Sequence, residues 1–161
     1  MQTVHNIDFR KLSISCGISL GVGAVSALVS MPSMGAYQRA SKPPLTPPGW
    51  LFPIVWTILF LLMGISSYLV FVSKGERREV KNAALTVYAS QLVVNFFYPI
   101  IFFNLSAYLL AFIWILILLA MVAVMVRLFL RVNRLSGALQ IPYLLWVVFA
   151  TYLTLGVFIL N

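Results

Sequence analysis

A chain of 161 residues that is 62% hydrophobic and 9% charged is not an ordinary soluble domain, which carries about 25% charged residues. Its net charge of +8, from 11 Lys and Arg against 3 acids, is explained by where the cations fall, so no nucleic-acid partner is invoked. The single cysteine, Cys16, excludes an intrachain disulfide.

Long uncharged intervals separate the cations. A spanning helix needs roughly 20 apolar residues, so the 45 uncharged residues from Asn82 to Val126 hold two spans, broken at Asn104-Leu105-Ser106. The reading is all-α, a single polytopic membrane domain over residues 1–161. Its five transmembrane helices lie near 12–32, 50–72, 83–103, 107–129 and 138–160. One side then collects Arg10, Lys11, Lys74, Arg77, Arg78, Lys81, Arg127, Arg131 and Arg134, and the other only Arg39 and Lys42. By the positive-inside rule the N-terminus is cytoplasmic, with the first loop and the C-terminus outside. A competing reading takes the first span as a signal peptide cleaved near Ala24-Val25-Ser26-Ala27, which leaves four helices.

The first span carries Gly17 and Gly21 at small-xxx-small spacing, which suits either a dimer face or close packing on a neighbouring helix. Pro32 ends it. The first loop, Ser33 to Gly49, is the longest connection and apolar enough to lie over the bundle mouth as a lid. Arg39 and Lys42, its only charges, read as interfacial anchors or as attraction for an anionic ligand group. Four prolines between Lys42 and Gly49 stiffen the approach to the second span, and Pro53 suits that helix's first turn.

The second span shows Phe52, Trp56, Phe60 and Met63 on one face. In the third, Tyr88, Gln91, Asn95, Tyr98 and Phe102 recur at spacings of 3, 4, 3 and 4. Amides and hydroxyls at membrane depth are costly unless paired, so this face points into the bundle. Pro99, read as mid-helix, frees the carbonyl of Asn95. The fourth span is aliphatic apart from Trp114 and reads as the most lipid-facing, with Ser136-Gly137 as the turn after it. The fifth begins at Ile141-Pro142 and aligns Tyr143, Trp146, Ala150 and Leu153, with Thr151, Tyr152 and Thr154 adding hydroxyls.

Asp8, Glu76 and Glu79 all lie in cytoplasmic segments, and the one histidine is His5 in the N-terminal tail. No second His or Cys completes a metal site, and neither a carboxylate pair nor a nucleophile–base arrangement is present. A hydrolytic or metal-dependent enzyme is therefore disfavoured. No ionisable chain lies in mid-membrane to serve an ion-coupled carrier. A bundle lined with rings and a few amides suits a flat hydrophobic ligand with a polar edge.

Three stretches, K-P-P-L-T-P-P-G-W-L-F-P-I-V-W, Q-L-V-V-N-F-F-Y-P and P-Y-L-L-W-V-V-F-A-T-Y-L-T-L-G, resemble the tryptophan-rich sensory protein / translocator protein family, in its bacterial type. The resemblance implies a five-helix bundle in the bacterial cell membrane, often a homodimer. It also implies a pocket for porphyrin, haem or similar flat ligands, closed by the first loop, with no covalent cofactor. Trp56 and Trp146 match the two pocket tryptophans, which the resemblance links to light-dependent porphyrin degradation. Asn95 matches the pocket asparagine, Tyr37 the loop tyrosine, and Phe52, Phe60, Ala150 and Leu153 apolar lining positions. With Gln91, Tyr98, Phe102 and Tyr143 from the stripes, these are the candidate ligand-binding residues. Leu45 and Tyr98-Pro99 depart from the family pattern, and no basic residue follows Arg134 to complete the animal sterol motif. The expected function is a tetrapyrrole receptor or sensor; a porphyrin-degrading enzyme and a tetrapyrrole or lipid transporter are the alternatives.

Overall fold

Asp8 sets the start of the first helix. Its carboxylate accepts from the Lys11 amide at 3.2 Å and lies 3.3 Å from the Lys11 ammonium, while its own amide donates to Tyr68 Oη at 2.9 Å. In the computed structural model, which describes residues 6–161, His5 lies outside the described residues. The helices are α1 (Phe9–Ser30), α2 (Met34–Arg39), α3 (Leu51–Val72), α4 (Arg78–Pro99), α5 (Tyr108–Val132) and α6 (Arg134–Leu160). The described residues contain no strand. Among the described residues, five helical segments, counting Phe9–Arg39 as one, are long and apolar enough to cross a membrane, as the sequence leads one to expect.

Packing orders the spans as a ring: α1 beside α3, then α6, α5 and α4, with α4 returning to α1. Contact between α3 and α4 runs across the middle. The three helices that carry polar or aromatic stripes thus face one another. Close approaches depend on glycine. A Cβ at Gly64 would strike the Cys16 backbone, and one at Gly23 would strike the Phe60 ring. Ser19 bridges the same α1–α3 contact, its hydroxyl donating to Phe60 O at 2.7 Å.

Several sequence expectations need correction. Only 11% of α1's most apolar stretch is buried, against 33% for α5, so α1, not the fourth span, is the span least covered by its own protomer. The reason is that α5 buries Ala111, Ile115, Leu118, Val122, Met125 and Phe129, an aliphatic stripe the sequence hides by being apolar all round. Ser136-Gly137 is not the turn. Asn133 alone joins α5 to α6, and its side chain caps α6 by accepting from Leu135 N and Ser136 N at 2.9 and 3.2 Å. Gly137 instead admits Leu130 at close range. Consequently α6 begins at Arg134, with Pro142 inside the helix and not at its start.

The first loop is also shorter than expected, because Met31–Ser33 forms one 3₁₀ turn and Met34–Arg39 is helical. Pro99 lies inside the third span, near its end and not at its middle: there α4 passes directly into a π turn, Ile100–Asn104. There Ile100 N–H bonds Phe97 O, and Ser26 Oγ supplies a donor to Phe96 O at 2.8 Å.

Candidate functional site

Convergence of α3, α4 and α6 brings the predicted stripes together. Tyr143 sits at the centre with no exposed surface. It accepts from Asn95 Nδ2 and donates to Gln91 Oε1, both at 2.7 Å. Gln91 Nε2 points at the Met63 sulfur, 3.8 Å away. One hydroxyl therefore satisfies two buried amides. Each such bond has a net worth of about 1 kcal/mol, whereas an orphaned buried amide costs about 1–3.

Rings close around this polar line. The Trp56 centroid lies 6.3 Å from Tyr143, 5.7 Å from Phe60 and 6.5 Å from Trp146. The two indoles stand at 89° to each other, and Phe52 meets Trp146 edge-on at 5.9 Å. The Trp146 indole N–H is buried and finds no acceptor among the described residues. It lies beside an aromatic wall, in a setting where an unmet N–H is costly.

A second aromatic group lies further along, beside α2. Tyr98 Oη and Thr154 Oγ1 are 2.6 Å apart, and Thr154 in turn donates to Ala150 O at 2.7 Å. The Tyr98 ring is 5.9 Å from Phe102, which lies 5.5 Å from Tyr37. Tyr98 packs against both groups and links them. Ala150 and Leu153 are buried. Of the candidate residues, Phe52, Trp56, Phe60, Gln91, Asn95, Tyr143 and Trp146 form the inner group with Ala150 beside them, and Tyr37 and Phe102 the outer one.

A proline strap docks on the end of α6. Pro43 is buried where Gly156 leaves room for its ring. Tyr152 Oη donates to Pro44 O at 2.8 Å. Asn161 accepts from Ser41 N at 3.0 Å and donates to Ser41 O at 2.9 Å. Lys42 stacks its ammonium 4.9 Å above the Tyr37 ring, within cation–π range. Leu45, at φ 69°, points outward and is 83% exposed.

Sequence reasoning does not select Thr154 or Met63, which complete the two polar lines. Thr154 is legible as the residue one turn after Ala150, and Met63 as the last member of its own stripe. Gln140 escapes altogether. It is fully buried, with neither side-chain polar atom bonded to a described residue.

The fold and this lining define an integral membrane protein whose aromatic and amide groups converge inside a five-helix bundle. The sequence model of the TspO/MBR family matches residues 15–160. The chain is 36% identical to the tryptophan-rich protein TspO of Chlorobaculum tepidum over 162 residues, covering 97% of this chain and 99% of that protein. It is 34% identical to protein CrtK of Rhodobacter capsulatus over 95% of this chain and 92% of that protein. With the human translocator protein it shares 33% identity over 84% of this chain and 80% of the relative. The chain belongs to the TspO/MBR family.

Proposed function

We propose that the protein is a membrane receptor or sensor for porphyrin- or haem-type tetrapyrroles, held in the wedge between α3, α4 and α6 beneath the proline strap. The observation that carries this reading is the free, buried N–H of Trp146 beside Trp56 and the Asn95–Tyr143–Gln91 line. Flat rings find edge and face contacts there, and a polar rim finds a donor. Protoporphyrin IX is expected to quench tryptophan emission saturably, and Asn95→Ala combined with Trp146→Ala to weaken it about tenfold or more. Equal quenching of wild type and double variant would sink the reading.

Two perpendicular indoles 6.5 Å apart also support a second activity, light-dependent oxidative degradation of the bound porphyrin, with dioxygen as the oxidant that takes up the electrons and Trp56 and Trp146 as the electron- or radical-bearing groups. Illumination with and without protein, followed by product spectra, tests it. Trp146→Phe degrading porphyrin as fast as wild type would remove that role.

Nine cations at one end of the bundle support a cytoplasmic N-terminus in the bacterial cell membrane. A Cβ at Gly17 or Gly21 would meet nothing within 4 Å, so this face is unused within the protomer and supports a homodimer through α1. Chemical cross-linking of Gly17→Cys would report it.

A further inference from the structure

Away from the wedge, α4 and α5 leave a shallow apolar groove on the outside of the bundle. It measures about 270 Å³ and is lined by Val87, Ser90, Ala120, Met121 and Val124. Along α5 the positions 120, 124, 127 and 131 are spaced by 4, 3 and 4, which keeps them on one face. The groove floor therefore continues directly into Arg127 and Arg131. At 1.5 Å per residue Arg131 lies about 10 Å beyond Val124. Both residues are exposed, and among the described residues no carboxylate lies within 4 Å of either guanidinium.

On the facing helix, Val87 and position 83 lead by fours to Glu79, with Arg78 opening α4 at the same end. Glu79 is exposed and makes no ion pair with any described residue. The end of the groove thus presents two guanidinium groups, Arg127 and Arg131, against one carboxylate, while Arg78 lies on the far side of α4 from Val87. An apolar channel that ends in a net positive pair of arginines has the shape and charge order of a phospholipid, tail first and headgroup last.

We propose that this groove binds a phospholipid with an anionic headgroup, one acyl chain lying between α4 and α5 and the phosphate meeting Arg127 and Arg131. Arginine suits that headgroup because its planar fork donates two bonds to phosphate at once. The site is independent of the wedge, so it stands or falls apart from the tetrapyrrole reading.

The test uses the full chain in detergent and native mass spectrometry with dioleoyl phosphatidylglycerol, phosphatidylcholine or phosphatidylethanolamine. Wild type is expected to retain phosphatidylglycerol in preference to the other two. Arg127→Gln with Arg131→Gln should weaken that retention roughly tenfold or more and leave phosphatidylcholine unchanged. Ala120→Trp, which fills the groove but keeps every charge, should lose the lipid as well, with circular dichroism showing that the variant is folded. Arg10→Gln, on α1 and outside the groove, should change nothing.

Equal retention of the three lipids by wild type would overturn the proposal. So would a double variant that holds phosphatidylglycerol as wild type does, or an Arg10→Gln loss as large as the double variant's, which would mean diffuse attraction. Preference for phosphatidylethanolamine abolished by Glu79→Gln would replace it with a zwitterionic site. If Ala120→Trp retains the lipid, or alters oligomer size instead of lipid retention, the groove is not the acyl site.

Discussion

The seam between α5 and α6 and the wedge between α3, α4 and α6 share one helix but are built of different materials. At the seam, the α5 aliphatic stripe and the Leu130–Gly137 contact hold two helices joined by a single residue. In the wedge, Asn95, Gln91 and Tyr143 hold one another through two 2.7 Å hydrogen bonds. Lipid tails are as apolar as leucine, so the seam is secured by close fit. The wedge is secured by polar groups that have no alternative partner in the bilayer.

Substitutions can break that contrast. Gly137→Leu, at the seam, is expected to cost the most, about 3 kcal/mol or more, because the new side chain meets both the Leu130 side chain and its backbone nitrogen. Thermal unfolding in detergent would show it, and an unchanged midpoint would mean the seam adapts more readily than its geometry implies. Tyr143→Phe orphans Asn95 and Gln91 together and is expected to cost about 2–4 kcal/mol, with porphyrin quenching reduced as well. Its loss should exceed that of Tyr98→Phe, about 1 kcal/mol, since Thr154 keeps its bond to Ala150 O.

Weaker effects lie outside both regions. Asn161→Ala removes the strap's two bonds to Ser41. It should cost under about 1 kcal/mol at this exposed site while speeding porphyrin exchange in stopped flow. The smallest effect concerns Asp8, whose carboxyl is held below the usual carboxylate range chiefly by the Lys11 amide. A depressed folded pKa contributes stability above the unfolded value of 3.8, and that stability fades as pH falls through the lower folded one. Helix protection at α1 measured by hydrogen exchange should therefore decline in acid, and Asp8→Asn should make it pH-independent.

Much of this architecture is legible in the order of the residues alone. Polar residues are too costly in a bilayer to be scattered, so a 3–4 spacing of Gln91, Asn95 and Tyr98 reveals which face turns inward. The charge map likewise reveals the five spans. The aliphatic helices mislead because α5 is apolar on every side, and hydropathy then says nothing about direction. The Asn133 turn escapes notice because Ser136-Gly137 carries the usual turn chemistry, whereas that glycine is needed for close approach to Leu130. Gln140 goes unmarked although it sits three residues before Tyr143, in step with that helix's stripe, because Ile141-Pro142 reads as the start of the span.

The one-residue junction at Asn133 has a mechanical consequence. With Leu130 seated over Gly137 just beyond it, α5 and α6 cannot slide or splay independently and act as a fixed anvil. Any guest admitted to the interior must be accommodated by movement of α3 and α4 against that pair. Spin labels on α5 and α6 should keep their separation when porphyrin is added, while labels on α3 and α6 move apart.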